Sequence, residues 1–134
     1  ALVYPEFNAE APEEDRCDDG PATGRYAPGC GLDATLVSYG HDEYLYQVLR
    51  AAGEAVTLPA PAFAIVRYHS LYAWHTGGAY GALASREDEA MLGWITLFNR
   101  YDLYSKRDAV VDRAAVWEYY EALAAEYLPA ALPF

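Results

Sequence analysis

The sequence predicts an all-α fold, on three observations. Apolar residues recur at intervals of three and four in four separate stretches. Each stretch is bounded by proline, glycine or a short polar residue placed to cap a helix. No run of useful length alternates apolar and polar residues as a half-buried strand does, and nothing repeats at a period of about 20–50 residues.

Residues 1–30 read as an irregular, acidic N-terminal segment. Pro5, Pro12, Pro21 and Pro28 punctuate it, with Gly20, Gly24 and Gly29. Glu10, Glu13, Glu14, Asp15, Asp18 and Asp19 crowd its middle. A solvated, self-repelling loop accounts for that composition, and so would a cation or partner site. A loop this long is unusual inside a compact domain, which suits a segment that wraps or links to another part of the protein.

Residues 31–134 read as the helical part. Gly29-Cys30-Gly31-Leu32-Asp33 marks a tight turn. The first helix starts at about residues 38–41 and runs to Ala52, where Gly53 stops it. Its stripe is His41, Tyr44, Leu45, Val48, Leu49 and Ala52, with Asp42 and Glu43 in the first turn, where the helix dipole favours them. Leu58-Pro59-Ala60-Pro61 then breaks the chain, and Pro61 suits a helix start because its missing N–H is no loss there. Phe63, Val66, His69 and Ser70 follow, and this second helix is expected to reach His75 and end by Gly77-Gly78. Tyr68, Tyr72 and Trp74 line its other faces, so it is apolar nearly all round and should be central.

Ser85-Arg86-Glu87-Asp88 resembles a capping box with Asp in the usual Glu position. The helix behind it carries Met91, Ile95, Phe98 and Asp102 on one stripe, widened by Trp94, Leu97 and Tyr101. The last helix runs from Asp112, as N-cap, to Tyr127, with Val116, Tyr119, Tyr120, Leu123 and Tyr127 as its stripe and Pro129 beyond.

The totals fit one domain. A chain of 134 residues can bury about two thirds of the surface its unfolded form exposes. Apolar residues make up 54%, too many for a disordered chain. Nine Lys and Arg against 20 Asp and Glu leave a net charge of −11, which repels phosphate backbones and anionic lipid and tolerates cations. Nucleic acid and membrane are therefore set aside as partners. Cys17 and Cys30 could form one disulfide but make no framework; two free thiols in a reducing cytosol is the simpler reading. No leader or spanning run is visible, so a cytoplasmic protein is expected. The first residue is Ala, as suits a chain that begins inside a longer gene product.

Three side chains could carry chemistry. His41, His69 and Asp102 each sit on an apolar helix stripe and are expected to converge on one polar pocket. Neutral imidazole and carboxylate are the ligands that non-haem iron uses. An unpaired buried carboxylate costs several kcal/mol, so Asp102 needs a metal, backbone N–H groups, solvent, or a cation such as Arg67, Arg100 or Lys106. Each histidine could instead be a structural residue with a satisfied hydrogen bond. The spacings of 28 and 33 residues match no compact metal motif. Ser70, beside His69, could hold a polyol or bond a carbonyl one turn back. His75 reads as a helix-end residue. Nucleophile elbow, phosphate loop, His-Glu-x-x-His and paired-cysteine patterns are all absent.

Longer words are more specific. Gly29-Cys30-Gly31-Leu32-Asp33, Ser38-Tyr39-Gly40-His41-Asp42-Glu43-Tyr44 and Arg67-Tyr68-His69-Ser70-Leu71-Tyr72 resemble the C-terminal half of the myo-inositol oxygenase family. So do Phe98-Asn99-Arg100-Tyr101-Asp102-Leu103-Tyr104-Ser105-Lys106 and the closing helix with Tyr119-Tyr120. The resemblance covers residues 24–134, with Tyr39 where the family often has Trp and Ala73 where Pro is usual.

The resemblance implies an all-α, HD-domain-like helical bundle, of which this chain would be the C-terminal half. It implies two non-haem irons, with myo-inositol and dioxygen as substrates and D-glucuronate as product. His41 and His69 match ligands of one iron, Asp102 a ligand of the other, and Ser70 a substrate contact. The family's other two histidines, bridging aspartate and substrate-binding lysine belong to its N-terminal half, so a missing half or a partner chain would have to supply them. Asp42 matches the residue after a ligand, not the bridging aspartate. Two further readings stay open: a truncated, non-catalytic binding subunit that keeps the fold, and a related HD-type phosphohydrolase, against which the scarcity of basic residues argues.

Overall fold

The computed structural model describes residues 23, 25–102 and 111–133. The acidic cluster, Cys17 and residues 103–106 of the last long motif lie outside the described residues. Among the described residues the structure is helical, without strands. None of its helices is long and apolar enough to cross a membrane.

Helix α1 spans His41–Ala51. Gly53 stops it as expected, at φ 59°, a left-handed conformation open to glycine. Helix α2 spans Ala60–Tyr68, entered through Pro59 with Pro61 in its first turn. A short connection folds α2 back along α1: Glu43 meets Arg67, and Tyr46 meets Phe63, so the pair is antiparallel. Since α2 also packs against the long helix of Arg86–Asp102, it is the central helix the sequence predicts.

The second helix does not run on to His75. It ends at Tyr68, turns through residues 69–71, and resumes as the short α3, Tyr72–His75. Leu71 leaves the helical region at φ −81° and ψ 58°. A side chain takes over one bond that a continued helix would make, His75 Nε2 lying 2.9 Å from the His69 carbonyl, while the Ser70 hydroxyl donates to Asp42. His75 is thus a helix-end residue, capping α2 from beyond the break.

Helix α4 spans Arg86–Asp102. Its capping box is reciprocal. The Asp88 N–H donates to Ser85 Oγ at 3.2 Å, and the Ser85 N–H donates to Asp88 Oδ2 at 2.8 Å. The same Oδ2 accepts from the Leu32 N–H at 2.9 Å. Gly31, at φ 90°, donates its N–H to the Leu83 carbonyl at 2.8 Å. The turn before the 3-10 segment Leu32–Ala34 is thereby tied to the start of α4. Leu32, Tyr68, Trp74 and a fully enclosed Ile95 (0% exposed) form the core beside it.

Between α1 and α2 lies a buried ion pair, Glu43 with Arg67, extended at its open end by the exposed Asp33. Glu43, 7% exposed, accepts from Arg67 Nε at 2.6 Å and from Gln47 Nε2 at 2.6 Å. Arg67 Nη1 pairs with Asp33, and the guanidinium lies 4.4 Å from the Tyr46 ring centroid. Burial, and then its bond to Asp33, push the Tyr68 hydroxyl far above its ordinary pKa, so it stays a donor.

Helix α5, Arg113–Tyr127, starts as predicted, with Asp112 Oδ1 accepting from the Ala114 and Ala115 N–H groups at 3.0 and 3.4 Å. Its stripe is not enclosed. No residue of α5 is buried, and Tyr119 and Tyr120 are exposed. Thr57 bonds the Tyr127 and Glu126 carbonyls at 3.0 and 3.1 Å, attaching the helix near its C-terminal end. The other faces of α1 and α4 also show apolar side chains to solvent, including Tyr44, Leu45, Trp94 and Leu97.

Candidate metal centre

His41 is the first residue of α1, and His69 caps the end of α2. Antiparallel packing brings those two ends together. The Nε2 atoms stand 3.0 Å apart, with ring centroids 5.1 Å apart and planes at 73°. His69 Nδ1 lies 3.1 Å from the Ile65 carbonyl and 3.0 Å from that of Val66. Carbonyls only accept, so Nδ1 carries the proton, and a neutral His69 presents the Nε2 lone pair toward His41. This is how a protein orients a metal-binding imidazole. The Phe98 ring of α4 stands edge-on to His69, centroids 6.0 Å apart.

The pair fits a metal ion. Two nitrogens each about 2.1 Å from one cation, at a right angle, are about 3.0 Å apart. A hydrogen bond from one imidazole to the other spans the same distance. The pair supplies two donors, both borderline nitrogen ligands suited to iron.

Asp42 and Ser70 follow the two histidines, and they meet as well. Ser70 Oγ donates to Asp42 Oδ2, while Asp42 Oδ1 accepts from the Glu43 N–H at 2.9 Å. Partial burial works to raise the Asp42 carboxyl pKa. The Ser70 and backbone hydrogen bonds, with the charge of His41, outweigh it and hold the group below its ordinary value.

The structure therefore brings His41 to His69 and, one residue further along each chain segment, Asp42 to Ser70. Asp102 ends α4, exposed, one turn beyond Phe98 on the same stripe. Among the described residues, no three His, Cys, Asp or Glu side chains group as a metal site. The three groups are also less enclosed than their apolar stripes suggest. His41 and Asp102 are exposed and His69 is half-buried, because the ends of α1 and α4 have little packed over them. Arg67, a possible partner for Asp102, is already paired with Glu43 and Asp33.

Sequence reasoning missed the Asp42–Ser70 contact. A signal was present: both neighbours of the histidine pair are polar and share its 28-residue separation. It also missed the Glu43–Arg67 pair, for which position alone held no signal. A cleft of roughly 170 Å³, lined by Asp33, Tyr46, Phe63, Arg67, Trp74 and Met91 among others, lies around that ion network and includes neither histidine. Its one arginine is neutralised by carboxylates, so the histidine end remains the better chemical candidate.

The family profile described as "Myo-inositol oxygenase" matches residues 1–134. The inositol oxygenases of Sus scrofa and Homo sapiens are 45% and 46% identical over 109 residues, 81% of this chain and 38% of theirs. Inositol oxygenase 5 of Arabidopsis thaliana is 41% identical over 127 residues, 95% of this chain and 40% of its own. The chain thus spans about two fifths of the length of these relatives. With the profile matched along its whole length and its histidines paired at one helix end, the chain belongs to the myo-inositol oxygenase family.

Proposed function

We propose that this chain contributes to a non-haem di-iron oxygenase of HD-domain type, acting in the cytoplasm, that cleaves myo-inositol with dioxygen to D-glucuronate. His41 and His69 would hold one iron and Asp102 the other, with the remaining ligands supplied from outside this stretch. Overall, the organic product gains one oxygen atom and the other leaves as water, so four electrons pass from the ring to dioxygen. Bound iron would supply Lewis acidity toward hydroxyl oxygens and the redox capacity that no side chain has. The chain's own residues bind and orient. His69 is held by two carbonyls, Phe98 shields one edge of it, and Ser70 offers a hydrogen-bonding oxygen beside the pair.

The observation that supports this most is the 3.0 Å Nε2 separation with the His69 tautomer fixed. The test is metal analysis of the holoenzyme alongside glucuronate assay. His41→Ala and His69→Ala should each lower iron affinity at least tenfold and abolish turnover. Full iron content in the double variant would end the reading.

A second reading is a binding subunit without catalysis. The exposed Tyr119, Tyr120, Trp94 and Leu97 support it, since large apolar groups in the open suit a docking surface. Glucuronate formation by the holoenzyme would exclude it.

A further inference from the structure

The hydroxyl of Ser70 has one proton, and the structure shows where it goes. Ser70 Oγ donates it to Asp42 Oδ2. Asp42 is itself anchored, because its other oxygen accepts from the Glu43 N–H at 2.9 Å in the first turn of α1. Both Asp42 oxygens are acceptors in these bonds, so the Ser70 proton is committed to Asp42. Ser70 Oγ is left with lone pairs only, next to His69.

We propose that Asp42 is a positioning residue that sets the hydrogen-bond polarity of Ser70, so that the site beside the histidine pair accepts a neutral ligand hydroxyl and disfavours a carboxylate or phosphate oxygen. A ligand O–H can donate to Ser70 Oγ. An anionic oxygen can only accept; it would face an acceptor with the Asp42 charge behind it. An acceptor facing an acceptor gains no hydrogen bond and meets a like charge, and this sets the order of preference. This inference rests on the proposed polyol chemistry, and it deepens it: the discrimination would reside in Asp42, which need not touch the substrate.

The test measures myo-inositol affinity, inorganic phosphate affinity and iron content in the iron-loaded holoenzyme. Ser70→Ala should weaken inositol binding about tenfold. Asp42→Asn should leave inositol binding near the wild-type value, since its amide can donate to Ser70 and a ligand hydroxyl can then accept the freed Ser70 proton instead of donating. The double variant should match Ser70→Ala alone, because Asp42 acts through Ser70, and iron content should not change. Phosphate binding should tighten in Asp42→Asn. Inositol losses that multiply in the double variant, or an Asp42→Asn variant whose phosphate affinity stays at the wild-type value, would overturn the proposal. If Asp42→Asn does not fold, Ser70→Ala still decides: its loss must be confined to hydroxyl ligands, and an equal loss for phosphate overturns the proposal. A wild-type holoenzyme that binds no inositol removes the polyol reading as well, and so separates the two failures.

Discussion

Glu43 carries its charge at 7% exposure, with Arg67 and Gln47 donating to it. Removing one partner of such a pair strands the other in a poorly solvated place. Arg67→Met should therefore lower unfolding free energy by about 3 kcal/mol, read from urea denaturation. The double variant Glu43→Leu/Arg67→Met should be more stable than Arg67→Met alone, since no buried charge is then unpaired. The opposite order would show that the network is solvated after all. Ile95, fully enclosed in α4, is the matching apolar case. Ile95→Ala should cost about 2–5 kcal/mol in the same measurement, through lost transfer energy and the cavity left behind.

At the level of helices, the start of α4 does more than cap itself. Asp88 Oδ2 accepts from both the Ser85 and Leu32 N–H groups, so one carboxylate ends a helix and fastens a remote turn. Asp88→Ala should cost about 2 kcal/mol and Ser85→Ala about 1 kcal/mol, compared by thermal denaturation. Equal losses would mean that the bond to Leu32 contributes nothing. The break between α2 and α3 matters differently. It makes His69 the cap of α2 instead of an interior residue, and frees Ser70 to turn toward Asp42.

For the molecule as a whole, the open faces of α1, α4 and α5 dominate. Leu36 is 78% exposed and Tyr101 77%, and the relatives extend well beyond the matched stretch. The isolated 134 residues are expected to self-associate as concentration rises, read by sedimentation velocity, because exposed apolar area of this kind is buried wherever it can be. A concentration-independent monomer would contradict this. The isolated chain is also expected to hold iron poorly and to release no glucuronate from myo-inositol. Two imidazoles and one carboxylate do not make a complete ligand set for two irons. Clear turnover would sink that expectation.

What the sequence alone determined is what lies within four residues along the chain. The helical period, the Gly53 stop, the Asp112 cap and the Ser85–Asp88 box are all local hydrogen-bonding choices, and each was legible. The family words around His41 and His69 were legible too. Tertiary structure decided the rest. It joined the two imidazoles across 28 residues, set the His75 ring against the His69 carbonyl where α2 ends, turned the Ser70 hydroxyl to Asp42, and matched Arg67 to Glu43 and Asp33. It also decided that Tyr119 and Tyr120 stay in the open. A stripe states which face of a helix is apolar, whereas burial depends on which other element packs against that face.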